Sequence, residues 1–446
     1  MRTDGTTFIT PLGLAFTVFM GALMLALPRR YALAPVIILS CYMTMGERVM
    51  IGPFNFTMIR ILLLLGWLRL ATRREIHGLK LNSIDTAVVL WVVSSLIMHT
   101  LLWQNSQEFI NRLGVLYDTV GLYFMFRYLL RGLDDILQVL RMLAVFLAPL
   151  AAFMILEKMT GRNIFYVFGG VPEFTEIRDG VLRCQGPFAH PILAGTFGAT
   201  SFALGMGLWW QGRSTKILAV IAIVACLIVI ITSGSSGPVL AGVAALVGMA
   251  MWGARRYMRQ VRWGIVLSLI GLHLYMKDPV WFLIARMDVF SASTGYHRAK
   301  LIDHAITNFG DWWLVGTKST AAWSDDLFDV TNAYILEGAN GGLVTMILFI
   351  TIIVLCFSGV GKAIRAFPAE RRTQLLWWAT GSALLAHAVT FLSVSYFDQN
   401  IVVWFLLLAL ISTSTALVRS PGAATSIPAP ELDLAPVQSL RFGSEF

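Results

Sequence analysis

Apolar runs of near-bilayer length recur throughout this chain, and they restrict its fold more than any other feature. A helix needs about 20 mostly apolar residues to cross the hydrocarbon core. Runs approaching that length lie at roughly 11–27, 31–46, 57–72, 84–103, 114–130, 136–156, 188–210, 217–232, 238–253, 263–276, 331–357, 374–394 and 399–417. Nothing in the bilayer accepts an unpaired backbone group, so repeated runs of this kind fold as packed helices. Only 13% of the 446 residues are charged, against roughly a quarter in a soluble domain. The expected fold is therefore all-α, a polytopic membrane helix bundle of about 12–13 transmembrane helices, with short helices in two outer segments.

The links between the runs carry the topology. Arg29 and Arg30, Arg73, Arg74 and Lys80, Arg127 and Arg131, Arg213 and Lys216, Arg255 to Arg262, and Lys362 to Arg372 fall on one side in strict alternation. The positive-inside bias makes that side cytoplasmic. The net charge of +9 thus reflects topology, and no nucleic-acid partner is expected. The outer side receives 104–113, 157–187, 233–237, 277–330 and 395–398. The organisation expected is N-terminal helices over 1–156, an outer segment over 157–187, central helices over 188–276, a large outer loop over 277–330, C-terminal helices over 331–417 and a disordered cytoplasmic tail over 418–446. Pro28-Arg29-Arg30 after the first run argues against a cleaved signal peptide. One of the first three runs either spans or re-enters, which leaves the side of the N-terminus open.

Both long outer segments contain candidate chemistry. The first ends in a bend containing Arg183, Gly186, Pro187, His190 and Pro191. Glycine and proline there prevent a plain helical start to the next run. Irregular backbone at that depth survives only under protein or beside a wet cavity. A guanidinium held at such a bend suits an anion, above all a phosphate; the plainer reading of Arg183 is a loop arginine whose head reaches water. His190 reads as a substrate donor or as a packed, hydrogen-bonded histidine. In the second segment, 291–295 reads as a loop and Arg298 opens a short helix over 299–308. Trp312, Trp313 and Trp323 suit the membrane interface. Asp325, Asp326 and Asp329 offer a general base or simply a solvated acidic loop. Arg60, at the outer start of the third run, either meets an anion or anchors at the surface. Thr232 to Pro238 read as a short outer turn rich in hydroxyls and backbone donors, as a bare pattern a tight loop between runs.

No Walker loop, nucleotide fingerprint, metal-ligand spacing or Ser/His/Asp set stands out, so neither cofactor nor metal is expected. Cys41, Cys226 and Cys356 lie in apolar runs and Cys184 stands alone, which gives no disulfide framework. Without a nucleotide site, energy for any outer-face synthesis must arrive in the substrate, and a lipid-linked diphosphate sugar fits that need.

With these pieces in place, the chain resembles the bacterial O-antigen ligase/polymerase family of integral membrane glycosyltransferases over about 55–415. Arg183, Gly186, Phe188, His190 and Pro191 match one family motif, in which an arginine is followed by Gly, an aromatic and His-Pro before a span. Arg298, Asn332, Tyr334 and Gly342 match a second, an arginine-led segment followed by His-Asn-x-Tyr-Leu and glycines. Two positions depart from the pattern. Thr331 stands where ligase members have a histidine, and Ser233-Gly234-Ser235-Ser236 lacks an arginine that many members carry.

The resemblance implies polymerisation of a cell-surface polysaccharide, O-antigen or exopolysaccharide, at the periplasmic face of the inner membrane. The donor would be an undecaprenyl-diphosphate-linked oligosaccharide and the acceptor a glycan hydroxyl, with polysaccharide assembly proteins and membrane lipids as partners. The alternative within the family is a ligase that transfers the glycan to lipid A core; Thr331 favours the polymerase. Under this reading Arg183 and Arg298 neutralise the diphosphate, and Asp329 is the base in place of the missing histidine. His190, His304, Asn332, Tyr334 and Arg60 would contact substrate. Other classes remain: a polysaccharide transporter or flippase would need polar residues deep in its spans, where His99 and Glu337 are the few candidates. A non-catalytic assembly partner would keep the fold without the chemistry.

Overall fold

A computed structural model describes residues 7–286, 292–397 and 399–418. The expected tail beyond 418 and Ser291 of the expected loop lie outside the described residues. The chain opens with α1 (Pro11–Ala26) and α2 (Ala34–Tyr42), then a hairpin of β1 (Arg48–Ile51) and β2 (Phe54–Thr57). Next come α3 (Met58–Thr72), α4 (Ser83–Trp103), α5 (Ser106–Leu129) and α6 (Leu133–Thr160). A second hairpin, β3 (Glu176–Arg178) and β4 (Val181–Arg183), precedes α7 (Pro191–Gly207), α8 (Arg213–Thr232), α9 (Ser236–Ala250) and α10 (Met258–Tyr275). Short α11 (Leu283–Arg286), α12 (Ala292–Thr307) and α13 (Phe309–Trp312) lead to α14 (Ala333–Ala366), α15 (Arg371–Thr390) and α16 (Asn400–Val418).

Local chemistry explains where these helices begin. Proline occupies the first turn of α1, α2 and α7, where a missing N–H costs nothing. Asn82 caps α4 reciprocally with Asp85, and Asn332 caps α14 through Ile335 N. Seven helical stretches among the described residues are long and apolar enough to cross a membrane. The other expected spans correspond to shorter helices or to α5 and α15, which are more polar. The molecule is a multi-pass membrane bundle. α10 carries apolar side chains all round yet has no buried residue, a pattern that suits lipid and not water.

Several expectations shift. Most of the expected 104–113 loop is the start of α5, capped by Asn105. The expected link at 254–262 is helical throughout, as a short 3-10 stretch over Met251–Tyr257 joins α9 to α10. Arg298 does not open its helix, because α12 already begins at Ala292. Trp312 and Trp323 are buried with Leu301, Leu327 and Ile335, so they pack a satellite core and do not anchor at an interface. The N-terminal runs all traverse the bundle. Arg29 pairs with Asp135 at one end, while Phe8 bridges to Arg48 and Gly46 packs on Gly170 at the other. Phe8 therefore lies on the face that carries 157–187.

α14 is broken at Gly341 and Gly342, which leave helical geometry. The break needs backbone partners, and the outer segment supplies them. Leu343 N–H donates to the Trp313 carbonyl, and Thr317 N–H donates to that of Ala339. Gly342, at φ +72, has Leu314 O only 2.4 Å from where a Cβ would stand. The large outer loop is thus fastened into the bundle.

Candidate functional site

The bend that carries Arg183 is held by side chains reaching in from other elements. Glu157, in the last turn of α6, accepts from Gln185 N at 3.1 Å, Gly186 N at 2.8 Å and Thr175 Oγ1 at 3.2 Å. Lys158 donates to Leu182 O, and Asn163 to Gly186 O. Gln399, just before α16, bridges Met43 O and Pro187 O. A buried carboxylate that accepts two backbone N–H groups fixes a turn firmly. Burial also pushes the Cys184 thiol up to about 12, leaving it a protonated packing group.

β3 and β4 pair through a two-residue Asp179-Gly180 turn, with φ +52 and +77, the left-handed geometry such hairpins favour. Register sets Glu176 opposite Arg183. The Arg183 guanidinium donates through Nη1 to Glu176 at 3.2 and 3.3 Å and through Nη2 to Ser235 Oγ at 3.0 Å. Burial lowers its pKa, opposed by the Glu176 charge; a guanidinium stays protonated regardless.

Arg183 and Arg298, far apart in sequence, line one cavity of about 340 Å³ together with His190, Asp329 and Thr331. Gly234, Ser235 and Ser236 supply another wall, where the N-terminus of α9 adds its own preference for negative charge. An Nη of Arg298 lies 3.8 Å from the site of a Cβ on Gly237, so this second guanidinium sits beside the same helix start. Ile192, Val394 and Phe397 give the cavity an apolar side. The serine turn, which the sequence offered only as a tight loop, is the floor against which Arg183 rests.

Gly234 is required there. Its φ is +55, and a Cβ would meet Arg183 Cγ and Val181 Cγ1 at 3.2 Å. Gly234→Ala is expected to cost about 1–3 kcal/mol in backbone strain, measured as thermal unfolding in detergent. Gly264→Ala, in open helix, should be neutral or slightly stabilising.

His190 caps α7, its Nδ1 accepting from Ile192 N at 3.2 Å. That bond assigns the proton to Nε2. Burial and the Arg183 charge both lower its pKa, so the ring is neutral and offers an N–H donor. Asp329 is held near by its loop: Lys300 of α12 donates to Asp326 Oδ1 at 2.7 Å, and His297 Nε2 lies 2.9 Å from Asp326 O. Thr331 Oγ1 is buried without a hydrogen-bond partner among the described residues, at the lining position where the resemblance expected a histidine.

No protein-family model matches this chain, and no curated protein matches it in sequence.

Four of the residues expected to contact substrate lie outside the cavity lining. Arg60 is held by Asp118 at 2.8 and 2.7 Å and by Asn55 O, so its guanidinium ties α3 to α5. Asn332 caps α14 and donates to Leu392 O. Tyr334 donates to Ala388 O and packs on Phe349 and Phe391. His304 lies six residues past Arg298 on α12, which at about 100° per residue turns it well away from that arginine. The residues missed in the sequence are Glu157 and Glu176, whose partners appear only once the chain is folded, while Ser235 was read only as part of a tight turn.

Proposed function

We propose that this protein polymerises a cell-surface polysaccharide at the periplasmic face of a bacterial inner membrane, as a member of the O-antigen ligase/polymerase class. The observation that carries the reading is the convergence of Arg183 and Arg298 on one cavity with Asp329, His190 and Thr331. Two guanidiniums and a helix start make a site for a diphosphate. The apolar side at Ile192, Val394 and Phe397 suits a substrate with a lipid end.

In this reading a sugar hydroxyl of the acceptor attacks the anomeric carbon of the donor. The bond from that carbon to the diphosphate oxygen breaks, and its electron pair leaves with the diphosphate. Arg183 and Arg298 stabilise the charge that builds there, a role in which fixed donors outperform mobile water. The hydroxyl proton passes to Asp329, an exposed carboxylate on the cavity wall. His190 Nε2–H and Thr331 Oγ1 orient oxygens of the substrate. Thr331 has no basic nitrogen, which favours growth of a lipid-linked chain over transfer to lipid A core.

The test is the glycan size distribution from cells whose own copy is deleted and replaced. Asp329→Ala should lower long-chain output by about 100- to 10,000-fold, the typical worth of a general base, with single repeat units accumulating. Full-length chains stranded on the carrier would instead make the protein a ligase. Unchanged chains would remove Asp329 from the mechanism.

A further inference from the structure

The cavity cation Arg183 already has an anionic partner, and the two differ in how they meet solvent. The Arg183 side chain is 8% exposed and that of Glu176 is 43% exposed. The hairpin is not held by this pair alone. Its root is bonded through Thr175 to Gly161 O and Glu157, and through Cys184 N–H to Thr232 O. Residues 176–181 are all solvent-facing. Rotation of the Glu176 side chain alone is enough to separate it from Arg183.

We propose that Glu176, which reaches Arg183 Nη1 from the hairpin beside the cavity and is not itself a lining residue, is an internal competitor of the diphosphate for the Arg183 guanidinium. Resting on the reading of this cavity as a diphosphate site, it assigns a function to the pair: the carboxylate holds Arg183 while the subsite is empty, and the donor diphosphate displaces it. Arg183 is then never left as an uncompensated, mostly buried cation. Ser235, bonded to Nη2 and not to the Nη1 that Glu176 takes, keeps the guanidinium oriented during the exchange. A phosphate group that engages the planar fork through two oxygens outcompetes a carboxylate held on one nitrogen. On product release the returning Glu176 expels the spent diphosphate carrier, so its charge limits how tightly product is retained.

The experiment is pyrophosphate binding to the full-length protein in lipid nanodiscs, measured by calorimetry. Glu176→Gln is expected to bind pyrophosphate more tightly by on the order of tenfold, and Glu176→Ala should do the same. Asp179→Asn removes the same charge from the same hairpin at a residue that lines the cavity and tolerates its left-handed φ. It should tighten binding by less than about threefold, because a charge outside direct contact is screened. Equal tightening in all variants would reduce the effect to net charge and overturn the proposal. Unchanged affinity in both Glu176 variants, with wild-type binding still lost in Arg183→Ala, would overturn the competitor and leave the diphosphate site standing. No binding by the wild type would remove both.

Discussion

Alanine at Arg183 or Arg298 is expected to abolish long-chain glycan while the protein stays at its normal level in the membrane. Each arginine lines the cavity and as a residue is only 6% exposed, so no solvent cation can take its place when charge builds on the diphosphate. Removing one such fixed donor typically lowers a rate by about 100- to 1000-fold. Lysine at either position should recover part of the activity, because it restores charge without the planar fork. The two alanine variants together should fall short of the product of the single losses, since residues that act on one leaving group are not additive. Glycan analysis of complemented deletion cells reads this directly. Wild-type chain lengths in both alanine variants, at equal protein level, would contradict the assignment.

The second large effect concerns the fold. Near the basic face, Arg127 donates to Asp85 at 2.9 and 3.2 Å and to Thr413 Oγ1 at 2.9 Å. Asp85 also accepts from Tyr123 at 2.5 Å, Ser412 at 2.8 Å and Asn82 N at 2.8 Å. The pair is 2% and 1% exposed and ties α4, α5 and α16 together. Arg127→Ala strands the Asp85 charge, and breaking a buried pair in this way costs about 3–5 kcal/mol. The expected result is a large drop in thermal stability in detergent. Adding Asp85→Asn should return part of the loss by removing the stranded charge. A single variant as stable as the wild type would mean that water reaches the pair.

This network also bears on the transport reading. His99 and Glu337 were the sequence candidates for a polar pathway, and Glu337 accepts from Trp91 Nε1 at 2.8 Å. His99 lies 3.5 Å from Glu108 near the outer helix ends. Asp85, Arg127 and Arg69 add buried charge that hydropathy alone hid, but Arg127 pairs with Asp85 across α4 and α5, and Arg69, paired with Glu75, also donates to Met24 O and Leu27 O at the end of α1. Closed ion pairs of this kind bind helices together, whereas a transport path exposes its charges to a water-filled route.

The helical architecture and the bend at Arg183 were legible because their signals are local. Apolar length marks a crossing helix, and glycine and proline around Arg183 and His190 mark a bend wherever the rest of the chain goes. Asp179-Gly180 and Gly52-Pro53 are equally local hairpin signals, overshadowed by the longer apolar pattern. Glu157, Glu176 and the Asp85 network were not legible, because a carboxylate is defined by its partners. Asn82 reaches Ser412 from the far end of the chain. Arg60 misled for the same reason: its partner Asp118 sits on a different helix, and a lone arginine at a run's outer end carries no sign of being already paired. α12 begins earlier than its polar sequence implied, and in that added first part Tyr296 packs on Phe282, a tertiary contact that local propensity does not encode.

The most direct test of the central claim uses purified protein in nanodiscs with a synthetic undecaprenyl-diphosphate-linked repeat unit as both donor and acceptor. Bond cleavage is read as released undecaprenyl diphosphate, and bond formation as glycan length on the remaining carrier. One carrier diphosphate should be freed for each repeat unit added, with both signals lost in Arg183→Ala and Arg298→Ala. Intact donor with no free carrier diphosphate, alongside movement of that donor across vesicle membranes, would contradict it.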